Sequence, residues 1–562
     1  VSLLGSSWSS MDVARRVIST LRAGGVRQVV LAPGSRSAPL AYALAEAELE
    51  ILVRIDERAA GFTALGLALS SGLPTAVLTT SGTAVGNLLP AVMEANHAGV
   101  PLLVLSADRP EELRGTGANQ TTDQVDLFGP HVRFAADIPA DTDPQTAVQT
   151  GLDAARGLLD GVPRGPVQLN LAFREPLTPQ LDGSEYQPNT LSAGVPEFVG
   201  TPEFAEPQAP VFYPGATDFL SRTVVLAGHD AGVEAERFAR LHRLPLLAEP
   251  SSNARFGPNA IGPYRLLLEH FAGQIERVVV FGRPTLSRPV SALMSRVELP
   301  RALFLPRPVA WFEADRRTET LIRDGPELSK FAGRGPVGWL ESWQRAAELA
   351  ETALESALGT ELSGLRLARE LWRLSEVQLM IGSSNPIRDV DLAARPRPTS
   401  ARIFANRGLA GIDGTVSTAQ GIALASGRPT RLLLGDLTLL HDAGGLLLPR
   451  GERVSDLQIV VLNDAGGGIF GLLEHGTLAA QPAYAAAVER FFGTAQDVEL
   501  SQLAAAYGLA YQRIGTTAEL TDALQAPVRG RSVLEIRTER SALRGLHDRV
   551  KTAIAEAVRE LC

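Results

Sequence analysis

Cysteine is nearly absent: the 562-residue chain holds one, Cys562, at its end. That excludes an internal disulfide framework and any cysteine-based metal cluster, and a reducing cytoplasm is the expected location. Long apolar runs are lacking too. None approaches the roughly 18 residues that read as a membrane-spanning helix, so no membrane span is expected. Residues 1–10 lack a basic segment and a long apolar core, so no signal peptide is expected there. There is no basic run, and the net charge of −9 argues against nucleic acid as a partner. The eight histidines show neither metal spacing nor a neighbouring Ser or Cys nucleophile. A Gly-x-Gly-x-x-Gly fingerprint is also missing after the first strand, which weakens a dinucleotide-binding reading.

What remains is a soluble α/β composition, 45% hydrophobic and 20% charged with 53 glycines. The length predicts about three domains. Strand-like runs at 28–32, 51–55, 75–79, 102–106 and 167–171 alternate with helical patterns such as 59–70 and 83–98. This is the alternation of a doubly wound parallel sheet. A polar, proline-rich stretch follows. A second block then carries strands at 223–227, 244–248, 277–281 and 302–305. A Glu- and Ala-rich helix is expected over 339–358, and a third block ends on a strand at 532–536. The division is 1–182, a linker at 183–219, 220–338, a helical connector at 339–360, and 361–562.

Two strand ends carry the most specific chemistry. One apolar run leads into Gly435-Asp436-Leu437-Thr438 and another into Asn463-Asp464-Ala465-Gly466. Adjacent parallel strands would each deliver a carboxylate at a carboxyl end, where open α/β sheets bind ligands. Hard oxygen ligands, with glycines allowing close backbone approach, suit a Mg²⁺ that also grips a diphosphate. The 25 residues between Leu437 and Asn463 leave room for one crossover helix. That is the spacing of the thiamin-diphosphate signature, Gly-Asp-Gly and then Asn-Asn, with Leu437 in place of a glycine and Asp464 in place of an asparagine. Either half alone also suits an ordinary strand-ending turn. Together they make Asp436, Asp464 and the Gly466 carbonyl the candidate metal ligands, with Thr438 and loop amides for diphosphate oxygens.

Asp56-Glu57-Arg58 closes a strand and opens a helix. Asp56 suits an N-cap and Glu57 a first-turn acid. Glu57 is also the carboxylate placed to hydrogen-bond N1′ of an aminopyrimidine. Thr80-Ser81-Gly82 follows a strand too, as a helix cap or a cofactor-facing loop. Arginines recur at such loops: Gly34-Ser35-Arg36, Asp108-Arg109-Pro110, Ser384-Asn385-Pro386-Ile387-Arg388 and Asn406-Arg407-Gly408. Singly, each could be a surface or ion-paired arginine. Four after strands suggest a pocket for polycarboxylates, since the guanidinium fork matches a carboxylate.

On these motifs, with Gly117-Ala-Asn-Gln120 and the run from Asn406 through Gly411-Ile-Asp-Gly414, the chain resembles a family. It is that of the thiamin-diphosphate-dependent synthases of menaquinone biosynthesis, which make 2-succinyl-5-enolpyruvyl-6-hydroxy-3-cyclohexene-1-carboxylate (SEPHCHC). The resemblance implies pyrimidine-binding, central and diphosphate-binding domains, with thiamin diphosphate and Mg²⁺ (or Mn²⁺) as cofactors. It implies a homodimer with shared active sites, often paired into a tetramer. Glu57 would act at the pyrimidine. Thr80, Ser81, Gly82, Gly435, Leu437, Thr438, Asn463 and Ile469 would line the cofactor, and Ile412 would hold it bent. Ser35, Arg36, Arg109, Gln120, Ser384, Arg388, Arg407 and Phe470 would line the substrate pocket. Ser383 stands where Asn occurs in the family, and Arg288 matches a basic substrate-contact region loosely. The implied reaction decarboxylates 2-oxoglutarate and adds the succinyl carbanion equivalent to isochorismate. Another thiamin-dependent 2-oxoacid carboligase, or a nucleotide-binding α/β protein with degenerate sites, stays open at this point.

Overall fold

The computed structural model describes residues 8–180, 217–313, 316–398 and 401–561. Most of the expected linker 183–219, and Cys562, therefore lie outside the described residues.

Three parallel sheets carry the fold. The first holds β1 (Gln28–Leu31), β2 (Glu50–Val53), β3 (Thr75–Thr79), β4 (Leu102–Asp108), β5 (Ala135–Ile138) and β6 (Val167–Ala172), in the order β2-β1-β3-β4-β6-β5. The second holds β7 (Thr223–Ala227), β8 (Leu246–Ala248), β9 (Arg277–Phe281), β10 (Arg301–Phe304) and β11 (Thr320–Ile322), in the order β11-β10-β9-β7-β8. The third holds β12 (Gln378–Ile381), β13 (Ile403–Phe404), β14 (Thr430–Gly435), β15 (Leu457–Asn463), β16 (Ala510–Ile514) and β17 (Arg531–Arg537), in the order β13-β12-β14-β15-β17-β16. The first and third sheets thus repeat one winding. β3 and β4 are buried throughout, as strands covered by helices on both faces must be.

Three helical readings change in detail. The pattern over 83–98 is two helices, Thr83–Gly86 and Leu89–Ala98. Pro90 lacks the N–H that would continue the first and suits the opening turn of the second. The crossover between β14 and β15 is a short helix, Asp436–His441, followed by a 3₁₀ turn. The helix Trp339–Leu358 is more than a connector. Trp339, Trp343 and Leu354 share one core with Leu546, Val550 and Ile554 of the last long helix, Arg540–Val558. No helix among the described residues is long and apolar enough to cross a membrane.

Contacts between the sheets place the site. The helices Glu57–Ser71 and Thr415–Ser426 cross at glycines. A Cβ on Gly66 would lie 2.1 Å from the Thr418 carbonyl oxygen, and one on Gly421 2.2 Å from that of Thr63. Buried Arg255 joins the second sheet to the third, donating to the carbonyls of Ala248 (2.5 Å), Asp391 (3.0 Å) and Ala394 (2.7 Å).

Candidate active site

β14 and β15 pair in parallel, with Gly435 opposite Leu462, so Asp436 and Asp464 emerge side by side at their carboxyl ends. Asp436 is 3% exposed, and its Oδ2 is buried without a hydrogen-bond partner. Burial pushes its carboxyl up to about 6, against partial relief from the amides of Leu437, Asp436 and Gly466. Asp464 rises to about 7, through burial and then the neighbouring Asp436 charge. Two desolvated carboxylates, one raised further by the charge of the other, suit a bound divalent cation. The residues therefore fit a Mg²⁺ ligated by Asp436, Asp464 and a main-chain oxygen. No cluster of three or more His, Cys, Asp or Glu among the described residues offers another metal site.

The backbone around this pair is tight. Gly466 sits at φ 141°, and a Cβ there would lie 2.1 Å from the Gly493 carbonyl oxygen. Asn463 donates to Glu535 (2.5 Å) and accepts from the Ala465 amide (3.0 Å), so its side chain shapes the turn. A cavity of about 710 Å³ opens here, bordered by Asn463, Asp464, Gly468, Phe470 and Arg540. Ile469 and Phe470 lie on the short helix Gly468–Leu472, with the Phe470 ring 5.2 Å from that of Phe492. Every described residue bordering this cavity belongs to the third block.

A second cluster forms at the carboxyl ends of β1, β3 and β4. Gly34 lies against Thr80, where a Cβ would come 2.2 Å from the threonine Cβ. Arg109 donates to the Gln120 carbonyl (2.6 Å) and to Ser81 Oγ. Gln120 donates back to the Ser81 carbonyl (3.0 Å), and the Gly82 amide donates to Gln124 (3.0 Å). Arg36 donates to the Phe173 carbonyl (3.0 Å) and leaves its Nε buried and unpartnered. Burial and then the Arg36 charge lower Arg109, against partial relief from the neighbouring Asp108 charge. Ser35 is exposed beside them. Glu57 opens its helix behind an Asp56 N-cap, whose Oδ1 accepts from the Arg58 amide (2.8 Å). The Glu57 carboxylate accepts from Asn87 (3.3 Å).

The third cluster follows β12 and β13. Ser384 takes φ 73°, a conformation that is strained for a non-glycine, at the start of the helix Asn385–Ala393. Its carbonyl accepts from Arg388 (2.7 Å). Arg407 is 2% exposed and borders a cavity of about 470 Å³ on the side of the second sheet. Ile412 sits in the loop before the helix Thr415–Ser426, its carbonyl accepting from Thr415 Oγ1 (2.9 Å). Arg288 stands apart from these clusters, exposed and ion-paired with Glu474 at 2.6 Å. Its loop neighbour Arg283 instead reaches the Gly408 carbonyl at 2.7 Å. The sequence reading missed Glu94, which accepts from the amides of Gly408 and Leu409 at 2.7 Å each. A lone carboxylate inside the apolar stretch Leu88 to Ala95 was the available signal.

Comparison with known proteins agrees with this arrangement. Residues 11–127 match the family described as thiamine pyrophosphate enzyme, N-terminal TPP binding domain. A 2-succinyl-5-enolpyruvyl-6-hydroxy-3-cyclohexene-1-carboxylate synthase from Renibacterium salmoninarum is 69% identical, over 98% of both chains. One of the same name from an Arthrobacter species is 60% identical, over 98% of this chain and 93% of that one. The solved benzoylformate decarboxylase of Polynucleobacter necessarius superposes with a TM-score of 0.65 over 94% of this chain and 98% of its own. At 16% identity that likeness is one of fold. The chain therefore belongs to the 2-succinyl-5-enolpyruvyl-6-hydroxy-3-cyclohexene-1-carboxylate synthases, within the thiamine pyrophosphate enzymes.

Proposed function

We propose that this chain decarboxylates 2-oxoglutarate and adds the resulting succinyl carbanion equivalent in a 1,4 fashion to isochorismate. The products are SEPHCHC and CO₂, in menaquinone biosynthesis. The observation that carries the reading is buried Asp436, with one carboxylate oxygen unpartnered, beside the partly buried Asp464 at paired strand ends, in a chain of this family. When bound, thiamin diphosphate supplies a nucleophilic carbon for the 2-oxoacid and a sink for the electrons released with CO₂.

Asp436, Asp464 and the Gly466 carbonyl would hold Mg²⁺ or Mn²⁺, with Gly435, Leu437, Thr438 and Asn463 around the diphosphate. Glu57 would hold a proton at the pyrimidine N1′, with Thr80, Ser81 and Gly82 beside it. Ile412 and Ile469 would brace the cofactor. Arg36, Arg109, Arg388 and Arg407 would receive the carboxylates of the two substrates, helped by Ser35, Gln120 and Ser384, with Phe470 as an apolar wall. Several arginines are needed because isochorismate and the decarboxylated 2-oxoacid together bring three negative charges. Domains 1–182, 220–338 and 361–562 would be the pyrimidine, central and diphosphate units. A 710 Å³ cavity lined, among the described residues, by the third block alone supports a site completed by the partner in a homodimer.

The test measures CO₂ release from 2-oxoglutarate with and without isochorismate, thiamin diphosphate and Mg²⁺. Release that needs both cofactors and rises with isochorismate supports the reading. Release indifferent to isochorismate would make this a different 2-oxoacid decarboxylase.

A further inference from the structure

Arg407 is held by residues that no part of the reaction assigns. The loop 406–409 is clamped from two sides. Glu94 on the helix Leu89–Ala98 takes the amides of Gly408 and Leu409, and Arg283 after β9 takes the Gly408 carbonyl. With the backbone fixed, the freedom left is that of the long Arg407 side chain. Thr285 takes it up. The Arg407 guanidinium donates to Thr285 Oγ1 (2.7 Å) and, at 3.3 Å, to the Thr285 carbonyl. Thr285 is in turn fixed by Glu249, which follows β8. One Glu249 oxygen accepts both the Thr285 amide (2.8 Å) and the Leu286 amide (3.0 Å).

Glu249 is 2% exposed and its other oxygen is buried without a partner. A buried carboxyl with an unpaired oxygen is costly, so its presence needs a reason. We propose that Glu249 is a positioning residue: through Thr285 it holds the Arg407 guanidinium in the orientation that receives a substrate carboxylate. The central sheet would thus contribute to the active site without touching substrate. The proposal rests on the reading of Arg407 as a substrate contact.

The experiment measures kcat, KM for each substrate and thiamin diphosphate affinity in the full-length enzyme. The variants are Arg407→Ala, Thr285→Val, Glu249→Ala and Glu249→Gln, with Thr285→Val also made in the Arg407→Ala background. Thr285→Val removes the hydroxyl acceptor and keeps the side-chain shape, so it remains informative if Glu249→Ala folds poorly. We expect Arg407→Ala to raise KM for one substrate. Thr285→Val and Glu249→Ala should raise that same KM about 10-fold, with kcat and cofactor affinity changed less than about 3-fold. Glu249→Gln should restore KM, because an amide oxygen still accepts both N–H groups. In the Arg407→Ala background Thr285→Val should add nothing. If Arg407→Ala raises KM while Thr285→Val and Glu249→Ala do not, or if their effects add to it, the relay is wrong. If Arg407→Ala moves neither KM, Arg407 is no substrate contact and the proposal falls with that reading.

Discussion

On the proposed function, Asp436 and Asp464 serve binding at the expense of folding. Without metal, each carboxylate is desolvated, and the Asp436 charge raises Asp464 further. Asp436→Asn should therefore raise the melting temperature of the metal-free chain, relieving on the order of 1–3 kcal/mol. It should also weaken Mg²⁺ activation at least about 10-fold, read from a Mg²⁺ titration of turnover. Glu249 makes a cleaner pH case because no metal is proposed there. Burial, then the Asp391 charge, raises it from an ordinary 4.5 to about 7. Between those values the folded chain keeps a proton that the unfolded chain gives up, so this group's contribution to stability falls as pH rises through that window. Glu249→Gln removes the effect. Its melting temperature relative to the parent should be higher at pH 8 than at pH 5, by the equivalent of about 1–3 kcal/mol, measured by thermal denaturation at the two pH values. At this scale the sequence showed the donors and acceptors that follow strands, among them Arg109, Arg407 and Asp436. It did not show their holders. Glu94 and Thr285 contact the 407–409 loop from more than a hundred residues away, and no local pattern announces such a contact.

Among the elements, the crossing of Glu57–Ser71 with Thr415–Ser426 ties the Glu57 helix to the loop carrying Arg407 and Ile412. Backbone meets backbone there, so Gly66→Ala or Gly421→Ala has no flexible neighbour to displace. Either should cost about 1–3 kcal/mol by overpacking, seen as a lower melting temperature. Thiamin diphosphate affinity should fall as well, since Glu57 opens one helix and the loop of Ile412 leads into the other. Strand legibility followed burial only in part: β12 is buried throughout but only four residues long and was not read, while the edge strand β2 was. β1, β3, β4, β7, β9, β14 and β15 are covered on both faces and read as continuous apolar runs. β5, β11 and β16 lie at sheet edges with one wet face, and their mixed residues gave no run to find. The helical pattern over 83–98 held its period across Pro90, but periodicity alone could not show the break.

For the whole molecule, the first and third sheets repeat one winding, and the proposed function assigns one of them to each end of the cofactor. If those units meet across a dimer, inactive Glu57→Gln and Asp436→Ala chains should complement one another. Co-refolded in equal amounts, half of the dimers would be mixed and each mixed dimer would hold one intact site. Turnover should then recover to about a quarter of the parental level. No recovery would place Glu57 and Asp436 of one chain in the same site. The central claim concerns bond formation, and mass analysis with uniformly ¹³C-labelled 2-oxoglutarate and unlabelled isochorismate tests it most directly. The account predicts an adduct that keeps four labelled carbons, with the fifth recovered as CO₂, formed only with thiamin diphosphate and Mg²⁺ and lost in Glu57→Gln. Labelled succinic semialdehyde without adduct, or an adduct formed at full rate by Glu57→Gln, would contradict it.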